Sequence, residues 1–153
     1  MIETLVKLFQ RDLELLKTEI SSFKDEMNLW KISGDIKNSA GNLCLHLCGN
    51  LQHFIGAVLG NSEYVRNRDA EFSRKDVPIV ELVAEIELTK NVVQRSFEKL
   101  TEDDLKKSYP INAFWLRNDN RIFAYKYGYT FHLSPWANQL SPQITGYLVY
   151  TCQ

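Results

Sequence analysis

Three stretches of this chain carry apolar residues at every third or fourth position, the repeat of one face of an α-helix. A helix with one apolar face is stable only when that face packs against other elements, so the pattern predicts an all-α protein in which helices cover one another. The first stretch covers roughly the first 25 residues. Its apolar positions are Ile2, Leu5, Val6, Phe9, Leu13, Leu16, Ile20 and Phe23.

The second stretch begins after Asn38 and Ser39, which can cap a helix, and Gly60 is a natural residue for its C-terminal end. Its apolar stripe is Leu43, Leu47, Leu51, Phe54 and Val58. Residues 61–75 are polar and dense in charge, which predicts a crossover loop.

The third stretch begins at Pro78, a residue that suits the first turn of a helix. Its apolar stripe is Ile79, Leu82, Ile86, Val93, Phe97 and Leu100. The run from Thr101 to Asp104 predicts a cap that opens one further short turn through Leu105.

The pattern of residue types changes after Pro110. Residues 111–133 alternate aromatic and other residues around Asn118-Asp119-Asn120, which predicts a local β-hairpin. Pro135 and Pro142 follow, and each would cost about 3 kcal/mol inside a helix. As written, residues 114–153 are therefore not a fourth long helix, although three amphipathic helices leave one side of a bundle uncovered.

Size and charge narrow the function. The chain has 153 residues, which suits a single domain spanning residues 1–153. Its 18 Lys and Arg residues against 19 Asp and Glu residues give no positive field that could gather nucleic acid or anionic lipid. No stretch reaches the roughly 18 apolar residues of a membrane span, and the first residues lack a signal-peptide pattern. We expect a cytoplasmic protein whose three cysteines are reduced.

Helix two carries a second, polar stripe. Asn42, His46, Asn50 and His53 share one face at 100° per residue. His46 and His53 lie about 10 Å apart along the axis, so at most one of them can bind a given metal ion. The residues alone favour a stripe that faces solvent.

Two other groups receive structural interpretations. Cys44 and Cys48, one helical turn apart, are interpreted as small buried hydrophobes rather than as a redox or metal-binding pair. The charged loop from Arg66 to Arg74 could clamp an acidic substrate, but a solvated loop with internal ion pairs explains the same pattern and is favoured.

The run Asn38-Ser39-Ala40-Gly41-Asn42-Leu43-Cys44-Leu45-His46-Leu47-Cys48-Gly49-Asn50-Leu51-Gln52-His53-Phe54-Ile55, followed by the loop Arg66-Asn67-Arg68-Asp69-Ala70-Glu71-Phe72, resembles the DinB and YfiT-like superfamily. The likeness covers residues 1–113. It implies a four-helix bundle, often dimeric, whose core nickel or zinc ion is held by one His of helix two and a His-x-x-x-His pair on the last helix. Members are described as metal-dependent hydrolases or thiol S-transferases that act on small molecules.

The resemblance assigns His46 as the metal ligand from helix two, and it assigns no catalytic residue. Residues 114–153 depart from the superfamily pattern. If His132 is aligned with the first His of the pair, Trp136 occupies the second position, and an indole cannot replace an imidazole as a ligand. The metal site implied by the resemblance, His46 and His132, is therefore incomplete. The alternative is a metal-free, non-catalytic bundle that binds a small molecule or a partner through the cavity that Asn42, His46 and Asn50 face.

A shifted reading frame accounts for the departure of the tail. Codons permitted for Thr130 to Gly146, with one base dropped, can spell His-Phe-Thr-Tyr-His-Leu-Gly-Gln-Ile-Asn-Tyr-His-Arg-Arg-Leu-Leu, which resembles the terminal helix of the superfamily and includes its His-x-x-x-His pair. Our hypothesis places the slip near Ala113 to Leu116.

We expect the codons of the gene from Pro110 onward to permit this shifted reading. Sequencing the gene tests the hypothesis directly, because each shifted codon admits only a few residues. Codons that cannot encode the two histidines of the pair in the shifted frame would rule it out.

Overall fold

The computed structural model of the protein describes residues 1–34 and 37–107. Within these ranges it contains four α-helices, which are α1 (Ile2–Ser21), α2 (Ala40–Leu51), α3 (Arg68–Ser73) and α4 (Ile79–Glu98). Two 3-10 helices, Glu26–Trp30 and Asp104–Lys106, accompany them, and no strand occurs among the described residues. The predicted all-α class is confirmed for this part of the chain. None of the helices in these ranges combines the length and the hydrophobicity needed to cross a membrane.

Residues 108–153, which include the anomalous tail 114–153, lie outside the described residues. The hairpin predicted for residues 111–133, the fourth helix of the predicted bundle and His132 all fall in that part of the chain. These three predictions therefore remain predictions.

Helices α1 and α4 pack against each other in antiparallel directions. Lys17 Nζ lies 2.7 Å from Glu87 Oε1, and the rings of Phe9 and Phe97 lie 5.7 Å apart between centroids. The side chains predicted for the two apolar faces form the core, and six of its fully buried members are Leu13, Ile20, Leu82, Ile86, Val93 and Phe97. The periodicity thus identified both faces correctly.

Local hydrogen bonds set the ends of these helices. Helix α1 stops at Ser21, before the predicted end near residue 25, since Ser22 Oγ donates to the Glu19 carbonyl at 2.7 Å. The sequence predicts Pro78 in the first turn of α4, but Pro78 is the N-cap residue that directly precedes this helix. The Thr101 hydroxyl and amide both donate to Asp104 Oδ2, at 2.7 and 2.8 Å, and this cap opens the predicted short turn.

The predicted crossover loop at residues 61–75 contains a helix that the sequence did not predict. Helix α3 begins where the side chain of Asn67 accepts a hydrogen bond from the Ala70 amide at 3.0 Å. Such a cap satisfies an amide at a helix N-terminus that has no intrahelical partner. The crossover therefore has a rigid element that lies against α2.

The prediction that the polar stripe of α2 faces solvent is wrong. Asn42, His46 and Asn50 are 1%, 7% and 4% exposed, whereas Leu43 and Leu47 of the apolar stripe are only half-buried. The reason is that no Asp, Glu, Lys or Arg occurs at residues 38–62, so no side chain of α2 has to reach water. Neutral polar groups can be buried when hydrogen-bond partners are supplied, and α3 supplies several of them.

The C-terminal part of α2 continues as a π-helix, Gln52–Ala57, and packs closely against α4. A Cβ atom at Gly56 would lie 2.6 Å from Val92 Cγ1, and one at Gly60 would lie 2.6 Å from Ser96 Cβ. The left-handed residue that ends the turn is Asn61, with φ of 51°, rather than Gly60. Gly60 is therefore required for the close approach of two helices, in addition to marking the end of the segment as predicted.

We expect Gly60→Ala to destabilise the protein by about 1–3 kcal/mol, the usual effect of overpacking a core. Urea unfolding followed by circular dichroism measures the change. The double variant Gly60→Ala/Ser96→Gly should lose less stability than the sum of the two single variants, because it removes the two Ser96 atoms nearest to the new methyl group and leaves the Gly56 carbonyl oxygen at 2.9 Å. Strict additivity would show that the contact with Ser96 is not the cause.

Candidate functional site

His46 lies at the centre of a buried polar cluster between α2 and the segment that leads into α3. Its Nδ1 atom lies 2.8 Å from Glu71 Oε2, and the side chain of Glu71 is only 5% exposed. The two residues are 25 positions apart in the chain, so the packing of α3 on α2 creates the contact. His46, which the family resemblance assigns as a metal ligand, is therefore a buried residue whose ring is oriented by a hydrogen bond.

Arg66 neutralises the buried carboxylate of Glu71. Its Nε and terminal NH2 groups donate to the two carboxylate oxygens at 2.8 and 3.0 Å, in a bidentate arrangement. Burial raises the pKa of Glu71, but hydrogen bonds from His46 and Arg66 outweigh burial and bring this pKa below its ordinary value. Glu71 is therefore ionised at neutral pH.

An ionised carboxylate can only accept hydrogen bonds, so we assign a proton to Nδ1 of His46, which donates to Glu71 at 2.8 Å rather than accepting from Arg66 Nη2 at 3.3 Å. In the neutral imidazole the lone pair is then on Nε2. Nε2 has no hydrogen-bond partner among the described residues and is not one of the closed-off polar atoms. His46 thus offers a basic nitrogen of fixed tautomer and orientation.

Three features of the sequence bring Glu71 to this position. Asn67 caps α3, as described above, and Asn42 fixes the far end of the helix by donating from Nδ2 to the carbonyls of Glu71 and Arg74, at 3.0 and 2.8 Å. Gly49 leaves the space that the carboxylate occupies, since a Cβ atom there would lie 2.9 Å from Glu71 Cδ. Any larger residue at position 49 would displace the carboxylate.

Aromatic rings line the approach to His46. The ring of Phe72 lies 4.8 Å from the imidazole of His46 between centroids, and the guanidinium of Arg68 lies over the ring of Phe72, 5.5 Å from its centroid. Arg66 lies 5.6 Å above the ring of Phe54 while it binds Glu71. These contacts hold the imidazole and the guanidinium in place from the apolar side.

The sequence of the charged loop from Arg66 to Arg74 favours a solvated loop with internal ion pairs, and the structure agrees with this in part. Arg66 forms an internal ion pair with Glu71, so its charge is committed within the protein. The structure adds what the sequence did not predict, which is that this pair is buried and tied to His46 rather than solvated. The signal available in the sequence was weak, because a five-residue spacing of Arg66 and Glu71 in a loop has no fixed geometry.

Asn50 and His53 extend the polar face beyond His46, but they lack its partners. Asn50 Oδ1 and His53 Nδ1 are both closed off from solvent, and neither has a hydrogen-bond partner within residues 1–34 and 37–107. Burial lowers the pKa of His53, and the nearby charge of Arg66 lowers this pKa further. His53 is therefore neutral at pH 7.

The two cysteines of α2 are both fully buried in the core, as predicted. The hydrogen bond to Cys48 and burial raise the pKa of Cys44 well above its ordinary value. Since the thiolate is the reactive form of cysteine, this environment favours packing over thiol chemistry.

Of the two predicted metal ligands, the structure describes only His46. His46 is buried and oriented, His132 lies outside the described residues, and within the described ranges no three or more His, Cys, Asp or Glu side chains converge on one point. Glu71 and Arg66, the residues that orient His46, were missed by sequence reasoning.

One family model matches residues 1–115 of the chain, and its description reads "Protein of unknown function (DUF1572)". Comparisons with curated proteins and with solved structures find no match.

We expect Glu71→Gln to destabilise the protein by about 3 kcal/mol at pH 7, because Arg66 would be left buried without a counter-charge. The folded-state pKa of Glu71 lies below the unfolded value of about 4.3, so its contribution is fully present above that pH and disappears as the pH falls through the folded-state pKa. The difference between wild type and variant should therefore narrow in acid. Urea unfolding at pH 7, 5 and 3 measures it.

Asp69→Asn is the matched control, since Asp69 is an exposed carboxylate on the same helix. It should change stability little at any pH. Equal effects of the two substitutions at pH 7 would contradict the role assigned to the Arg66–Glu71 pair.

Proposed function

The chain belongs to the DUF1572 family. From its resemblance to the DinB and YfiT-like superfamily, we propose that it is a DinB-like helical bundle that binds one divalent transition metal, nickel or zinc, through His46. The proposed activity is metal-dependent hydrolysis of a small molecule, or transfer of a thiol cosubstrate to it. As in the superfamily that the chain resembles, we propose a cytoplasmic homodimer.

The observation that carries the proposal is the hydrogen bond from His46 Nδ1 to the carboxylate of Glu71. Histidines that bind metals nearly always donate their second ring N–H to a carboxylate, a carbonyl or water, which fixes the tautomer and raises the basicity of the ligating nitrogen. The contact alone does not require a metal, since a core histidine can be satisfied in the same way. Nε2 has no hydrogen-bond partner among the described residues, so its lone pair is available to a metal ion.

Each residue of the cluster has a distinct role in this proposal. His46 would supply the ligating nitrogen, Glu71 would orient it, and Arg66 would keep Glu71 ionised without leaving a net charge in the core. A bound nickel or zinc ion would supply Lewis acidity toward a carbonyl group or a thiol. Phe72 packs on the imidazole and limits access of water from that side.

The remaining ligands would come from the tail. His132 is the candidate in the frame as written, and the shifted frame would supply two histidines instead. The family match ends at residue 115, inside the interval of residues 113–116 where the hypothesis places the slip. This coincidence supports the idea that the family sequence continues in another frame.

The alternative is the metal-free bundle that binds a small molecule or a partner. Asn42 does not favour it as a binding residue, since its Oδ1 accepts hydrogen bonds from Ser39 and Lys75 while its Nδ2 donates two. Metal content separates the two functions.

We expect protein purified without a polyhistidine tag to carry close to one transition metal per chain. His46→Ala should abolish this metal, and Glu71→Gln should weaken binding about 10- to 100-fold, the usual effect of removing the group that orients a ligand. Elemental analysis and competition with a chelator measure occupancy and affinity.

His53→Ala is the control, because His53 lies two turns along the same helical face and cannot share a metal with His46. It should retain the metal. Unchanged occupancy in His46→Ala would contradict the proposal, and so would equal losses in both histidine variants.

A further inference from the structure

Two arginines near His46 lie over aromatic rings in the same way. The guanidinium of Arg66 lies 5.6 Å from the centroid of the Phe54 ring, and that of Arg68 lies 5.5 Å from the centroid of the Phe72 ring. A cation over the face of an aromatic ring is attracted by that ring, which favours this position of the side chain over others. Both guanidinium groups are therefore positioned by the fold.

The two guanidinium groups differ in what their N–H groups bind. Those of Arg66 donate to both carboxylate oxygens of Glu71, at 2.8 and 3.0 Å. Those of Arg68 have no acceptor and no ion-pair partner within the part of the chain that the structure describes. Asp69, the next residue, is exposed and forms no ion pair with Arg68. Among the described residues, Arg68 thus lacks the oxyanion that Arg66 has.

Arg68 lies beside the proposed metal ligand. The Phe72 ring that it covers also packs against the imidazole of His46, 4.8 Å between centroids. The guanidinium and the imidazole therefore lie against one and the same ring. A single small molecule can reach both groups.

The helix that carries Arg68 is fixed at both ends. Asn67 caps its start, and the side-chain amide of Asn42 donates to two carbonyls at its C-terminal end. The backbone of Arg68, the first residue of α3, is therefore held in place without any contribution from its own side chain. A group that is already positioned binds a ligand with a smaller entropy cost.

We propose that the substrate of the His46 site carries an oxyanion, a carboxylate or a phosphate group, and that Arg68 binds this group. A guanidinium presents its N–H groups in a planar fork that matches both kinds of oxyanion, and hydrogen bonds between charged groups are the strong ones. Arg66 cannot take this role, because Glu71 occupies its fork. The inference rests on the proposed function of His46, since it names the substrate class of that site.

The contact between Arg68 and Phe72 also has a structural effect. The two residues are four positions apart on α3, a spacing at which side chains stabilise a helix. A purely structural role would make the stability of the protein depend on Arg68, but not the binding of a ligand. The tests below therefore measure binding.

The first test compares three molecules that share a benzene ring and differ in charge, which are benzoate, phenyl phosphate and neutral benzamide. Ligand-observed NMR is carried out with the full chain, freed of metal by EDTA and then dialysed to remove the chelator. We expect at least one of the anions to bind about tenfold more tightly than benzamide, and the tighter anion identifies the oxyanion. Failure of both anions to bind more tightly than benzamide would overturn the proposal.

Variants show whether Arg68 causes the preference for anions. Arg68→Gln should remove this preference, and Arg68→Lys should keep only part of it, because an ammonium group has the charge but not the fork. Arg95→Gln is the matched control, since Arg95 is an exposed arginine of α4, and it should keep the full preference. A preference that survives Arg68→Gln, or that falls equally in Arg95→Gln, would contradict the role of Arg68.

The position of the bound anion relative to His46 is measured separately. The NMR signals of the His46 imidazole, assigned by comparison with His46→Ala, should shift when the preferred anion is added to the wild type but not when it is added to Arg68→Gln. Absence of this shift in the wild type would overturn the link between Arg68 and the His46 site. Because the protein is free of metal in all these measurements, their outcome is independent of the metal content of the wild type and of His46→Ala. Failure of this inference and failure of the proposed function are therefore distinguishable.

Discussion

The described structure depends on the way in which one buried carboxylate is neutralised. Glu71 lies among α2, α3 and the preceding segment, and a buried carboxylate without partners would be too costly to keep ionised. Arg66 compensates its charge with two hydrogen bonds, and the imidazole of His46 takes a third. The same three contacts that make the burial tolerable also fix the tautomer of the imidazole, so stability and the proposed chemistry have one origin.

This arrangement requires helices that approach closely. Gly49 leaves room for the carboxylate, and Gly56 and Gly60 let the end of α2 approach α4 near Val92 and Ser96. The π-helical turns at Gln52–Ala57 follow Gly49, include Gly56, and carry His53 and Phe54. Such turns are often found at functional sites, where they alter the direction of side chains relative to a regular α-helix.

Part of this could be predicted from the sequence. The apolar faces of α1 and α4 followed from periodicity, because each also carries charged residues that mark the exposed side. The buried face of α2 could not be predicted in the same way, because the pattern counts Asn and His as polar residues and so predicts that they are exposed to solvent. The overlooked signal was the absence of any charged side chain at residues 38–62. The pairing of His46 with Glu71 joins distant parts of the chain, so no local pattern encodes it.

The number of hydrogen bonds made by a buried polar side chain shows how far that side chain holds α2 in place. Asn42 and Asn50 are indistinguishable by residue type, by face and by burial. They differ only in their partners, since Asn42 uses both its oxygen and its nitrogen, whereas the oxygen of Asn50 has no partner within residues 1–34 and 37–107. An unpaired buried acceptor costs free energy, so Asn42 stabilises the fold in a way that Asn50 does not. His46 combines both situations, because its Nδ1 atom is hydrogen-bonded to Glu71 while its Nε2 atom has no partner among the described residues.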